Sequence, residues 1–135
     1  MLKLISAVQY STKMKATIQA TGKLGFTKET AEIWQLNQDN SIQFARDEED
    51  NNQLYLILYP DVRDEAFRVN KSGDYFYLAT KLMFDDFGID YKTTNVMFDL
   101  VRTESQDPED GAKAYRMDMR HTDRKRGDNT VDIEA

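Results

Sequence analysis

Basic and aromatic residues are the side chains of this sequence whose types could do chemistry together. Four lysines lie beside aromatic or alternating apolar residues: Lys15, Lys23, Lys71 and Lys81. Cationic groups contact phosphates and exposed rings stack on bases, so a strand that carries both types can hold single-stranded nucleic acid. Tyr75 and Tyr77 are expected on the face opposite Phe76, because alternate residues of a strand point to opposite sides. The four lysines are therefore the candidate nucleic-acid contacts; the alternative is that the rings mainly pack the hairpin.

Further basic side chains surround this set. Lys13 is expected to lie with Lys15 and Lys23 on a first hairpin, and Arg68 flanks the aromatic run. A second basic cluster comes late in the chain: Arg116, Arg120, Arg124, Lys125 and Arg126. From residue 121 onward the apolar period is lost, which predicts a disordered tail at 121–135. Such a tail could be an electrostatic arm or a solubilising segment.

Catalytic and metal-binding patterns are weak in this sequence. The single histidine, His121, falls at the edge of the predicted tail, where nothing obvious holds it as a general base. Asp85 and Asp86 are adjacent on a predicted helix and point about 100° apart, so they cannot converge as an acid–base pair. The acidic run at 47–50 lacks the glycine and the alternating ligands of a calcium loop. We therefore predict a protein that is not an enzyme and that carries no cofactor or metal.

The charge of the chain weighs against strong general binding to DNA or RNA. The formal net charge is −6, and the acidity is concentrated in two blocks, with −5 on residues 45–66 and −3 on residues 104–135. Non-specific affinity for nucleic acids comes mainly from Lys and Arg side chains that neutralise phosphates. A local basic surface is still compatible with this balance, since residues 1–44 carry +2.

Length and composition predict one intracellular domain. A chain of 135 residues can bury a core without disulfides, and it contains no cysteine. No segment approaches the roughly 20 apolar residues that span a bilayer, and the first ten residues do not read as a secretory signal. We expect a cytoplasmic protein, without membrane contact, that has an extension at 1–13, one domain at 14–120 and the tail at 121–135.

Apolar spacing predicts a β-rich first half. Ala16 and Ile18 alternate before a turn at Gly22, and Leu24 and Phe26 alternate after it, which predicts a hairpin. A short helix follows, and its buried side is expected to comprise Ala31, Trp34 and Ile33. The helix is predicted at 28–36. Two strands are predicted after it, at 41–45 and 54–60, and Pro60 ends the second.

The second half shows a similar order of elements. Thr27 and Thr80 are placed to cap a helix in each half, and Gly88 suits the reversal that ends the second helix. The apolar side of the second helix is predicted to comprise Leu82, Phe84 or Met83, and Phe87. The strands predicted around this helix are 66–69, 75–79, 95–101 and 114–119.

The two halves match at a nearly constant offset. Counterparts 53 residues apart are Thr27 with Thr80, Trp34 with Phe87 and Leu36 with Ile89. After one inserted residue, Ile42 and Phe44 correspond to Val96 and Phe98. Such a period indicates either a duplication, with copies at 14–60 and 67–101, or two strand–helix–strand units that need the same apolar spacing.

The run from Met14 to Leu58 resembles the swapped-hairpin domain of AbrB- and SpoVT-type regulators and antitoxins. The resemblance is carried by Met14, Lys15, Thr17, Gly22, Lys23, Leu24, Phe26, Trp34, Leu36, Asn40, Ile42 and Phe44. If 67–101 is a second copy, the arrangement is similar to the tandem, MraZ-type members of that superfamily. The resemblance implies a DNA-binding regulator and a homodimer, because the hairpins of two chains interlock in that family; two units in one chain could instead close alone.

Departures from the family pattern concern its DNA contacts. The position after the turn glycine is Lys23, which lacks the bidentate fork of arginine. The paired arginines of the family's helix fall on Ala31 and Glu32, which leaves few phosphate contacts. We expect an α+β fold, mostly an antiparallel β-sheet or small barrel with two short helices and two similar strand–helix–strand units. The expected function is a non-enzymatic DNA-binding or regulatory module, or alternatively a protein-interaction or assembly module that binds no nucleic acid.

Overall fold

The computed structural model describes residues 1–5 and 14–123. Within these residues the chain forms nine strands and two short α-helices. The strands are β1 (Met14–Ile18), β2 (Leu24–Phe26), β3 (Ser41–Asp47), β4 (Gln53–Tyr59), β5 (Phe67–Arg68), β6 (Asn70–Ser72), β7 (Tyr75–Leu78), β8 (Thr94–Arg102) and β9 (Lys113–Asp123). The helices are α1 (Lys28–Trp34) and α2 (Lys81–Asp86), and a single 3-10 turn spans Glu104–Gln106.

All nine strands form one antiparallel sheet in the order β5-β3-β4-β9-β8-β1-β2-β7-β6. The strands at the two ends of this order, β5 and β6, are consecutive in the chain and are separated only by the buried Val69. One short stretch of chain therefore supplies both edges of the sheet, which curls into a nearly closed barrel. The predicted β-rich, mostly antiparallel sheet or small barrel is confirmed.

The first hairpin forms because its apolar residues alternate around a glycine turn. Ala16 and Ile18 of β1 are fully buried and lie opposite Phe26 and Leu24 of β2. Gly22 sits between the strands with φ +89°, in the left-handed region that favours glycine. The predicted hairpin is therefore present with its apolar residues facing the barrel interior.

Helix α1 begins as its sequence predicts. The Thr27 hydroxyl accepts a hydrogen bond from the Thr30 amide at 3.2 Å, which satisfies one of the free donors of the first turn. The buried Thr30 in turn donates through its hydroxyl to the Lys15 carbonyl at 3.2 Å and thereby ties α1 to β1. Ala31 is buried, as expected, but Ile33 is exposed, because it lies on the opposite side of the helix.

Two predictions for helix α2 were wrong. Leu82 is 81% exposed, whereas Phe84 is fully buried, because a six-residue helix offers only one narrow side to the barrel. Thr80 occupies the position before the helix but makes no side-chain cap. Its buried hydroxyl donates instead to the Gly22 carbonyl at 2.9 Å, so it links the helix start to the first turn.

One main core fills the barrel between the sheet and the two helices. Its fully buried members are Ala16, Ile18, Leu24, Ile42, Leu56, Leu78, Phe84 and Phe98, and Trp34, Phe44, Phe67, Phe76 and Phe87 pack against it. Phe84 of α2 stacks on Phe98 of β8, with ring centroids 6.2 Å apart. Among residues 1–5 and 14–123, no helix is both long and apolar enough to cross a membrane.

Strand β9 is the longest element of the sheet. It ends at Asp123 and so continues beyond residue 120, where the sequence places the end of the domain. The rest of the predicted tail, with Arg124, Lys125 and Arg126, lies outside the described residues, as does Lys13.

The loop between β8 and β9 is held by a bidentate ion pair. The two terminal guanidinium nitrogens of Arg102 donate to the Asp107 carboxylate, at 2.7 and 2.8 Å. The same carboxylate accepts a hydrogen bond from the Ala114 amide at 2.8 Å. The hydrogen bonds from Arg102, which have the larger effect, and from the Ala114 amide lower the pKa of Asp107 to about 2 from its ordinary value of 3.8. The carboxylate therefore stabilises the fold above pH 3.8, and that contribution is lost as the pH falls through 2.

Replacing Asp107 with asparagine is expected to lower the free energy of unfolding at neutral pH, because the charge-assisted pair with Arg102 is lost. The variant should also lose less stability than the wild type between about pH 4 and pH 2, since it has no carboxyl to protonate there. Urea unfolding of both proteins across this pH range measures the difference. The exposed Asp110→Asn change in the same loop is the control, and identical acid limbs for Asp107→Asn and wild type would contradict the assignment.

Candidate nucleic-acid interface

Lys23 is the one candidate lysine that lies on an aromatic surface outside the barrel. Its Nζ stands 4.6 Å from the centroid of the Tyr77 ring. Tyr77 stacks with Tyr75, with centroids 6.1 Å apart and planes 20° apart. As expected from strand alternation, these rings face outward on β7 while Phe76 packs against the core. A cation beside two stacked rings is an arrangement that can bind a base and a phosphate.

Tyr75 nevertheless has a packing role. A Cβ atom at Gly25 would lie 1.3 Å from the Tyr75 Oη atom, so the tyrosine ring covers the strand where glycine leaves space. The Tyr75 hydroxyl accepts a hydrogen bond from the Gln19 side chain on the neighbouring hairpin, and burial raises its pKa. An aromatic ring laid over a strand glycine fills the gap in side-chain packing on that face. With 36% of its surface exposed, Tyr75 offers only part of a platform to a ligand.

Lys71 and Lys81 are engaged within the molecule. The Lys71 ammonium lies 5.5 Å from the centroid of Phe76, its cross-strand neighbour. Lys81 Nζ donates to the Asp85 carboxylate at 2.7 Å along α2. This pairing raises the pKa of Lys81 and, together with a hydrogen bond from the Tyr91 hydroxyl, lowers the pKa of Asp85. A phosphate would have to compete with Asp85 for Lys81.

Lys15 lies on the outer face of β1, opposite an acidic residue. Its cross-strand partner on β8 is Asp99, which accepts a hydrogen bond from Arg120 of β9 at 2.9 Å. A shallow groove of about 260 Å³ on this face is lined by Lys15, Asn95, Met97, Arg120 and His121. The neighbouring Asp99 carboxylate offsets one of the two cations in this groove, Lys15 and Arg120.

The four candidate lysines do not form one surface. Lys15 and Lys23 share the outer face of the first hairpin but are separated by about four strand positions, roughly 13 Å. Lys23 and Lys81 are neighbours through Gly22, whose Cβ position would lie 2.7 Å from the Lys81 side chain. Lys71 sits on the inner-facing side of its strand, opposite Phe76. The arrangement thus provides scattered charges and two separate cation–aromatic pairs, Lys23 with Tyr77 and Lys71 with Phe76.

Sequence reasoning missed the contacts that involve residues far apart in the chain. The pairing of Gly25 with Tyr77 across β2 and β7 is what brings Lys23 onto Tyr77. A glycine inside an alternating strand was the available signal, because such a glycine often marks a close approach of another group. The Arg120–Asp99 pair depends on the register of β8 with β9, which no local pattern encodes.

Acidic and histidine side chains form no metal centre in the part of the chain that the structure describes. No group of three or more His, Asp or Glu residues is placed to hold an ion there. Asp47 ends β3, and its side chain accepts a hydrogen bond from the Glu49 amide within the turn. The Asp85 carboxylate accepts hydrogen bonds from Lys81 and Tyr91, while Asp86 is exposed.

Comparison with known proteins adds no assignment to this geometry. No protein-family model, no curated protein and no solved structure matches the chain. The resemblance to swapped-hairpin regulators therefore stays a prediction.

Proposed function

We propose that the chain is a non-enzymatic regulatory or assembly module, made of two fused swapped-hairpin units, that works through protein contacts rather than general nucleic-acid binding. The first unit comprises β1, β2, α1, β3 and β4, and the second comprises β5 with β6, β7, α2, β8 and β9. The two-unit architecture is supported by the reciprocal strand pairing between these units. A function through protein contacts is supported by the candidate lysines, which are dispersed and contact groups of the same chain.

The pairing of strands follows an approximate two-fold pattern. β2 pairs with β7 and β4 pairs with β9, so that in both cases a strand meets its own counterpart. β1 pairs with β8 of the second unit, and β5 pairs with β3 of the first. In the central pair, Leu24 lies opposite Leu78, 54 residues later. Each unit thus lends its first strand to the other, which is the relation that two chains have in a swapped-hairpin dimer.

The two helices end in equivalent ways. In α1 the Leu36 amide donates to the Ala31 carbonyl at 2.9 Å, and in α2 the Ile89 amide donates to the Phe84 carbonyl at 3.2 Å. These bonds close a reversal in which the residue before the donating amide adopts the left-handed conformation. Phe84 and Ile89 each lie 53 residues after their counterparts, Ala31 and Leu36. This constant offset favours duplication over two independent units that need similar apolar spacing.

The same equivalence predicts that Gln35→Gly stabilises the protein. Gln35 has φ +52°, whereas its counterpart is Gly88 with φ +72°. Relieving a left-handed glutamine should raise the free energy of unfolding by about 0.5–1 kcal/mol. At the equivalent position, Gly88→Ala should lower the free energy of unfolding by about 1 kcal/mol. Denaturant unfolding of both variants measures this, and a destabilised Gln35→Gly would contradict the equivalence of the two helix ends.

Charge supports protein contacts as the mode of action. Three of the four candidate lysines lie on a ring or in an ion pair, and the fourth faces Asp99. The chain carries −6 overall, so a phosphate backbone would be repelled at long range. Affinity for nucleic acid would have to come from a small local site.

Single-stranded nucleic acid is the second candidate ligand. It is favoured by one observation, the Lys23 ammonium above Tyr77 and the stack of Tyr77 on Tyr75. Stacking on such rings contributes about 1–3 kcal/mol per base and tolerates any sequence.

The test is a fluorescence-anisotropy titration of labelled single- and double-stranded DNA of mixed sequence, at low salt and at several-fold higher salt. We expect no binding to either form, because the lysines lack a common surface. The double variant Lys15→Glu/Lys23→Glu is compared with Lys92→Glu/Lys113→Glu, which makes the same change in net charge elsewhere. Salt-sensitive binding that only the first variant abolishes would reject protein contacts and establish the hairpin as a nucleic-acid site.

A further inference from the structure

Strand β9 is longer than the strand beside it. It pairs with β8 from Tyr115 to Asp123, but with β4 only through Lys113–Arg116. The Gln53 side chain donates to the Met117 carbonyl at 2.9 Å and marks the point where β4 leaves this edge. Beyond Met117, the β4-side edge of β9 has no strand partner within the described residues.

The first half of the chain does not leave such an edge. Its corresponding strand, β4, ends at Tyr59 before Pro60, and the chain then folds back. Ser41 fixes this return, because its hydroxyl donates to the Asp61 carbonyl at 2.7 Å and accepts from the Arg63 amide at 3.2 Å. The open edge is therefore a property of β9 and not of the shared architecture.

The part of β9 with the open edge contributes lining residues to grooves on both faces of the sheet. On the outer face lies the groove of about 260 Å³ with Met97 among its lining residues. On the inner face lies a second groove of about 270 Å³, whose apolar lining includes Ile89, Val96 and Met119. Met119 is 45% exposed, although Phe98, its partner on β8, is fully buried. An added strand that alternates its side chains could use both grooves.

The chain itself contains an apolar segment that packs against nothing in the described residues. Leu2, Leu4 and Ile5 are 91%, 92% and 76% exposed. Residues this apolar are strongly favoured to leave water when a surface is available. The segment also carries Lys3 and no acidic residue, whereas the inner groove includes Asp90 and the chain as a whole is acidic.

We propose that the open edge of β9 in one copy binds the Met1–Ile5 segment of a second copy as an added β-strand. Backbone hydrogen bonds join the segment to β9, and Leu2 and Leu4 enter one groove while Ile5 faces the other. Neither the edge nor the segment has a partner among the described residues of one chain, and the pairing is assigned to two molecules. The eight residues between the segment and β1 can span up to about 26–29 Å, enough for a reciprocal exchange that closes a two-fold dimer.

The oligomeric state is measured by size-exclusion chromatography with light scattering on the full chain over a range of concentrations. A particle of twice 15.7 kDa is expected. Leu2→Asp/Leu4→Asp and Met119→Asp should each yield monomers that keep the circular dichroism spectrum of the wild type. Leu82→Asp, at an exposed leucine on α2, is the control and should remain a dimer. A monomeric wild type, or a dimer in either test variant, would overturn the proposal.

Engineered cysteines identify which copy supplies the segment, because the natural chain has none. Leu2→Cys and Leu4→Cys are each mixed with a differently tagged copy that carries Met119→Cys or His121→Cys. A disulfide between the two tags is expected for at least one combination, since paired strands bring Cα atoms within bonding range. A chain that carries both Leu4→Cys and Met119→Cys is the comparison, and disulfides that form only within that chain would reject exchange between copies. These outcomes do not depend on whether the barrel binds DNA.

Discussion

Phe84→Ala is expected to lower the free energy of unfolding by about 3–5 kcal/mol. Phe84 is fully buried, and its ring meets Phe98 and Phe44 with centroids 6.2 and 6.3 Å away. Alanine would leave a cavity where α2 enters the barrel, because strands held on both sides cannot collapse into it. Guanidinium unfolding followed by circular dichroism and by Trp34 fluorescence measures the loss.

Leu82→Ala is the matched control on the same helix. Leu82 is two residues away and mostly exposed, so its truncation should change the free energy of unfolding by no more than about 0.5 kcal/mol. Equal losses for the two variants would mean that α2 is packed on a different side from the one described.

Gly22→Ala is the second change with a large expected effect, about 2–5 kcal/mol of destabilisation. Gly22 has φ +89°, which costs a residue with a side chain about 1–2 kcal/mol. A Cβ there would also lie 2.7 Å from the Lys81 Cβ and 2.9 Å from the Lys81 Cα, and crowding against backbone adds about 1–3 kcal/mol. Thermal or denaturant unfolding checks the sum.

Gly73→Ala separates the two contributions to the effect at Gly22. Gly73 has φ +61° but no atom within 4 Å of the position its Cβ would occupy. Its replacement should therefore cost only the conformational part, about 1–2 kcal/mol. If Gly22→Ala is no worse than Gly73→Ala, the close approach of α2 to the first turn is not a constraint on the fold.

Local elements of the fold were predictable because the signals for them are local. Alternation at Ala16 and Ile18 identifies β1, Thr27 begins α1 through a cap, and Pro60 ends β4 by removing a donor. The outward direction of Tyr75 relative to Phe76 also follows from strand alternation alone. These features need only neighbouring residues to specify them.

Contacts between distant parts of the chain were beyond such reasoning. The pairing of β1 with β8 joins Ala16 to Phe98, and nothing in either strand names the other as its partner. Leu82 was misplaced because an apolar residue in a short helix looks buried until the packing surface is known. The surroundings of the candidate lysines also depend on distant residues. Lys23 contacts Tyr77 because β2 pairs with β7, and not because of its neighbours in the chain.

The link at Val69 also constrains the order in which this protein can fold. The hairpins β1–β2, β3–β4, β6–β7 and β8–β9 join neighbouring segments and can form early. The stretch that contains β5 and β6 can pair with both β3 and β7 only after the two halves of the sheet have formed. Closure of the barrel is therefore a late and non-local event. We expect folding in the millisecond-to-second range typical of barrels, and we expect the two halves to unfold together.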